Sequence, residues 1–183
     1  MKLGVTLITF ASVILAVHSV AEPLSLEDMG ARVLVITAHP DDAEMYCGGT
    51  IHALTALGTH VSLLITTTGD AGGSCGNETG ACTREKLAYL RANEALAGAA
   101  ILGLAAEDVA QLGFHDGSVT SASSRDAIVE GIAAHARGFQ PTSVVTFFQG
   151  PDWDAPPMRG LWPYAWDDLG FHPDHQGNMQ GDA

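Results

Sequence analysis

Arg32-Val33-Leu34-Val35-Ile36-Thr37-Ala38-His39-Pro40-Asp41-Asp42-Ala43-Glu44 is the stretch whose reading decides the fold. Val33 to Ile36 form an unbroken apolar run, three of the four β-branched. A strand buried on both faces reads this way, as in a parallel sheet, where alternation with polar residues is lost. The run ends abruptly in one imidazole and three carboxylates within six residues, with Pro40 stiffening the turn. Open α/β folds place their ligand sites at the carboxyl ends of such strands.

Outward from this stretch the chain alternates. From Glu44, the residues Met45, Ile51, Leu54 and Leu57 recur at helical spacing, and Gly58 supplies a C-terminal stop. Gly48-Gly49 within that helix implies either close packing against the sheet or a delayed helix start, since each glycine costs about 1 kcal/mol relative to alanine. Val61–Ile65 is a second strand and again ends polar, in Thr66-Thr67-Thr68-Gly69-Asp70. Arg84–Leu102 is a long helix with Leu87, Leu90, Leu96 and Ala97 as its buried stripe. Val109–Leu112 is a third strand, leading into Gly113-Phe114-His115-Asp116-Gly117. Ser123 or Ser124 caps a helix running to Arg137, and Ser143–Phe148 is a fourth strand. This order implies a Rossmann-like three-layer α/β sandwich: a mostly parallel sheet, right-handed crossovers, helices on both faces and the ligand site at the strands' carboxyl ends, where the clusters taken up below would place a metal. Residues 149–170, rich in proline and tryptophan, show no period and read either as a binding wall or as a surface wrap over the sheet edge.

The 183 residues suffice for one domain with a sizeable core. With 8 Lys+Arg against 21 Asp+Glu, the formal net charge of -13 disfavours nucleic acid and anionic membrane surfaces, whose phosphates it would repel. Met1-Lys2, an apolar run to Val17 and the small residues Ser19 and Ala21 make residues 1–21 a secretory signal peptide by pattern. Residues 22–183 are then a single mature domain, secreted or extracytoplasmic. An uncleaved membrane anchor, with the chain held at the endoplasmic reticulum, is the alternative. Secretion permits disulfides. Cys75 and Cys82 flank a glycine-rich loop with no apolar residue to hold it, so they are expected to pair, leaving Cys47 a buried free thiol. Asn77-Glu78-Thr79 is a glycosylation sequon.

Zinc in a hydrolytic site takes three ligands from His, Asp or Glu and keeps one position open. His39 and Asp42, three apart across a stiffened turn, can face one point, and His175 in His172-Pro173-Asp174-His175 is the candidate third donor. Asp41 is placed to take a proton from water activated there. Each signal alone has a structural explanation: a hydrogen-bonded histidine, or an aspartate pair capping a helix. The two clusters, each following a strand, favour the metal.

His39-Pro40-Asp41-Asp42-Ala43-Glu44 followed by Gly48-Gly49-Thr50-Ile51 resembles the signature of the PIG-L/LmbE-like family of zinc-dependent N-deacetylases. Thr68-Gly69-Asp70-Ala71-Gly72, Arg91-Ala92-Asn93-Glu94 with Leu102-Gly103, and His172-Pro173-Asp174-His175 resemble three further family motifs in the same order. The resemblance implies an amidohydrolase that removes the N-acetyl group from a GlcNAc-type sugar or glycoconjugate; the pattern of residues 1–21 makes it a secreted one. His39, Asp42 and His175 would ligate Zn2+, and Asp41 would be the general base. His172 would stabilise the oxyanion or protonate the leaving amine, and Arg91 and Asp116 would contact substrate; the structural alternative for Arg91 is a salt bridge with Glu94 on its own helix. Ala43 stands where many members carry glutamate directly after the aspartate pair, a variant the family also shows. The family continues beyond the second metal motif, so the expectation is a domain lacking its C-terminal part. A non-catalytic, carbohydrate-binding member is the alternative.

Overall fold

The computed structural model describes residues 25–76, 81–119 and 121–147. After a short 3-10 helix, Leu26–Met29, the elements alternate: β1 (Arg32–Thr37), α1 (Asp42–Ala56), β2 (His60–Thr67), α2 (Arg84–Ile101), β3 (Val109–Phe114), α3 (Ala122–Phe139) and β4 (Ser143–Val145). The four strands form one sheet in the order β3-β2-β1-β4, every pair parallel. Val33 sits opposite Val61 on one side and Ser143 on the other, so β1 is central.

The unbroken apolar run of β1 follows from that place. Val33 and Val35 join Val61, Leu63 and Ile65 in a core covered by Ile51 and Leu54 of α1 and by Ala95 and Ala99 of α2. Leu34, Ile36 and Leu64 point the other way, against Ile132, Ala136 and Phe139 of α3. Both faces must therefore be apolar. The sheet grows in one direction from β1 to β3, then the chain returns across it to place β4 on the far side of β1. Right-handed crossovers require the covering helix to change face when the direction reverses, and α3 does so. β1 and β4 flank the switch point, where an open sheet leaves a crevice beyond its carboxyl edge.

The expected three-layer α/β architecture is present, with element boundaries that differ in detail. α1 begins at Asp42 and not at Glu44, and its backbone leaves helical geometry at Cys47 (φ -140°, ψ 15°). That kink separates the first turn from the rest, so Met45, 69% exposed, falls out of phase with Ile51 and Leu54; Leu57, 58% exposed, is the C-cap beyond the last helical residue. Gly48 is buried beside Leu102, close packing without a delayed start. In α2 the buried stripe is Leu87, Ala95 and Ala99, while Leu96 and Ala97 face outward. The small residues are inside because α1 lies against this face: a Cβ on Gly98 would collide with the Glu44 carboxylate. α3 starts one residue after Ser121, which serves as N-cap in place of Ser123 or Ser124. β4 ends at Val145; Phe148, to which it was expected to run, and the tryptophan-rich segment lie outside the described residues.

Candidate active site at the carboxyl edge of the sheet

The turn after β1 is held from within. Asp42, 3% exposed, accepts the backbone N–H of Ala38 (3.0 Å) and of His39 (2.7 Å) on one carboxylate oxygen, Oδ2. Neighbouring strand β2 ties the same turn down, Thr67 donating its N–H and its hydroxyl to the Ala38 carbonyl at 2.9 and 2.8 Å. His39 is thereby fixed with its ring buried. Its Nδ1 lies 3.6 Å from Asp42 Oδ2, and its Nε2 lies 3.3 Å from Asp116 Oδ1. Asp116 arrives from the turn after β3, so two loops distant in sequence converge on one imidazole.

Asp41 occupies the N-cap position of α1 but makes no side-chain capping bond. Its carboxylate instead meets the Arg91 guanidinium, Nη2 to Oδ2, at 2.9 Å. Arg91 comes from α2 and also donates through Nη1 to the carbonyls of Gly69 (3.0 Å) and Gly72 (3.4 Å). Gly69 must be glycine here: its φ is +63°, and a Cβ would lie 2.6 Å from Arg91 Nη1 and 2.7 Å from Pro40 Cδ. Arg91 is thus a clamp across two loops and the base of the cavity, not the partner of Glu94 on its own helix.

A cavity of about 210 Å3 opens between these loops, lined by His39, Asp41, Asp42, Tyr46, Arg91 and Asp116 among others. Of the seven residues expected in the site, five converge on it. His172 and His175 lie outside the described residues, as does the Asn77 sequon. The donors fit zinc as far as they go: an imidazole nitrogen and a carboxylate oxygen, both buried and side by side at a strand end, are the ligand types that zinc accepts. Among the described residues no group of three His, Cys, Asp or Glu side chains completes a metal set.

Asp70 was missed as a site residue, although its place at the end of β2 is the signal that singled out His39. It is 3% exposed and accepts from Arg84 Nε (2.8 Å) and Nη2 (2.9 Å) and from the backbone N–H of Asp116 (2.8 Å); His115 Nδ1 lies 2.7 Å away. These bonds, the Arg84 guanidinium first, hold its carboxyl well below the usual carboxylate range. With the folded value depressed, the stabilisation is fully present above the unfolded value of about 4 and is lost as pH falls from there.

Cys75 and Cys82 are joined, with Cα atoms 5.6 Å apart, closing the loop between Gly69 and α2. Cys47 is free but only half-buried, and burial pushes its thiol up to about 11, out of the nucleophilic range at neutral pH. Replacing both paired cysteines by serine should cost about 2 kcal/mol, the loop-closure entropy of so short a ring. Urea unfolding of oxidised wild type against the double variant measures it; equal midpoints would mean the bridge constrains nothing.

Comparison with known proteins places this geometry in context. The family described as PIG-L, GlcNAc-PI de-N-acetylase, matches residues 34–157, over half of the chain and including the first motif. A probable N-acetyl-alpha-D-glucosaminyl L-malate deacetylase 2 from Bacillus cereus is 30% identical over 147 residues, covering 80% of this chain and 57% of the relative. Among solved structures, the N,N'-diacetylchitobiose deacetylase of Pyrococcus horikoshii superposes with a TM-score of 0.64 at 24% identity, over 94% of this chain and 56% of that one. A conserved protein of Thermus thermophilus gives 0.55 at 26% identity, over 81% and 52%. The chain spans a little over half the length of these relatives.

Proposed function

The chain belongs to the PIG-L family, and from that premise we propose that it is a secreted, zinc-dependent N-deacetylase acting on a GlcNAc-type sugar or glycoconjugate. The observation that carries the reading is the convergence of His39, Asp42 and Asp41 on one cavity at the carboxyl end of β1, with Arg91 and Asp116 on its walls. The deacetylase names of the relatives support the substrate class.

His39 and Asp42 would hold the zinc, with His175 as third donor. Bound there, zinc would supply Lewis acidity towards an amide carbonyl and a water. Asp41 takes the proton as water adds to the carbonyl carbon. Its side chain is half exposed to the cavity, and the 2.9 Å bond to Arg91 fixes its direction. His172 would stabilise the oxyanion or hand a proton to the departing amine, so that amide and water become free amine and acetate. Asp116 and Arg91, buried on the walls, offer an acceptor and a donor to sugar hydroxyls. Secretion rests on the pattern of residues 1–21; among the described residues no helix is long and apolar enough to cross a membrane.

The test is zinc content together with amine release from N-acetylglucosamine, N,N'-diacetylchitobiose and an N-acetylglucosaminyl glycoside. One zinc per chain with release from at least one of them is the expected result. Sugar binding without release would favour the non-catalytic alternative, and neither zinc nor release would overturn the reading.

A further inference from the structure

The chemistry proposed for the cavity leaves unused the most heavily bonded carboxylate beside it. Asp70 does not line the cavity, yet it joins three separate pieces of chain. Through Oδ1 it accepts from Arg84 Nη2 and from the Asp116 backbone N–H; through Oδ2 it accepts from Arg84 Nε and faces His115 Nδ1. Arg84 is the first residue of α2, Asp70 follows β2, and His115-Asp116 follows β3. Asp116 in turn uses Oδ2 to accept the N–H of Ala71 (3.3 Å), and its Oδ1 lies 3.3 Å from His39 Nε2. The turn carrying Asp116 is therefore fixed at its backbone N–H by Asp70, at its carbonyl by a longer bond from Arg84 Nη2 (3.4 Å), and at its side chain by the residue next to Asp70.

We infer that Asp70 is a positioning residue for substrate recognition: it sets where the Asp116 carboxylate stands on the cavity wall. This rests on the deacetylase reading for the identity of the substrate, but not for the geometry. A carboxylate suits the task because both of its oxygens accept, whereas an asparagine would turn an NH2 donor towards the groups facing one of them. Arg84, exposed over half of its side chain, neutralises the buried Asp70 from the solvent side, so only the carboxylate leaves water and it does so with a partner.

The consequence is specific. Asp70→Asn should raise KM for the N-acetylated sugar roughly tenfold, the equivalent of one well-placed hydrogen bond, with kcat within about threefold and zinc content unchanged. Asp116→Ala should raise KM by a similar or larger factor. Because Asp70 acts through Asp116, the double variant should be no worse than Asp116→Ala alone. If Asp70→Asn does not fold, Arg84→Gln loosens the same carboxylate from an exposed position. It should raise KM in the same non-additive way with Asp116→Ala. Amide hydrogen exchange supplies a readout independent of turnover: the Asp116 N–H should lose protection in Asp70→Asn, while the amides of β1 keep theirs. Additive KM effects, a fall in kcat with KM unchanged, or unaltered Asp116 exchange would overturn the inference. Wild type without amine release would count against the deacetylase reading alone, leaving the exchange result to decide the role of Asp70.

Discussion

Replacing Asp41 by asparagine should lower kcat on an N-acetylated sugar by roughly 10²–10⁴-fold, the range a general base contributes, while the protein keeps its zinc and its fold. Asparagine matches the aspartate in shape but has no basic oxygen to receive a proton. The structural losses are small. Asp41 makes no capping bond to α1, so the helix loses no cap. Its ion pair with Arg91 has one half-exposed partner, which limits it to about 1 kcal/mol. Arg91 retains the carbonyls of Gly69 and Gly72, so the loop after β2 stays tied to α2. Steady-state kinetics beside zinc analysis and a urea melt separate the two effects. Turnover within tenfold of wild type would remove Asp41 from the role of base.

The second large effect concerns its neighbour, and it divides into structure and chemistry. Asp42→Ala deprives two buried backbone donors, those of Ala38 and His39, of their acceptor. At about 1–3 kcal/mol for each unsatisfied group, the variant should lose roughly 3 kcal/mol, a large fraction of the 5–15 kcal/mol typical of a domain. Asp42→Asn keeps an oxygen where Oδ2 stands and should lose about half as much. Both should bind zinc far more weakly, because an amide oxygen is a poor substitute for a carboxylate ligand. Urea unfolding gives the first comparison and competition with a chelator the second. Equal stability of the alanine and asparagine variants would show that the carboxylate does not hold the turn. Undiminished zinc binding in both would exclude Asp42 as a ligand.

The two aspartates show how far local reading reaches. That Asp42 and His39 can reach one point follows from three residues of chain and a proline, and His39 Nδ1 lies 3.6 Å from Asp42 Oδ2. The disulfide is equally local, two cysteines seven apart around a loop without apolar anchors. The element order and the parallel sheet were also legible, because a strand buried on both faces leaves an unbroken apolar run. The partner of Asp41 was not legible: Arg91 was expected on substrate, or paired with Glu94 one turn along its own helix. The fold instead brings it across from α2 to the N-terminus of α1.

The same division explains the buried faces. The periodicity of α1 pointed to Met45 and Leu57, but a kink at Cys47 puts Met45 out of phase with the later turns, and Leu57 is the C-cap, where the helix has already ended. The leucines of α2 pointed inward on hydrophobicity alone, yet close approach of α1 favours alanine and glycine there and leaves Leu96 outside. By itself, then, the sequence determined the alternation of elements, the parallel sheet, the polar turn at the end of β1 and the disulfide. Each of these depends on residues close together in the chain. Tertiary structure alone decided which carboxylates meet. Asp116 reaches His39, and Asp70 binds Arg84 and the turn after β3, because parallel strands bring their carboxyl ends to one edge. Pairing across that edge is set by strand order, which no local pattern encodes.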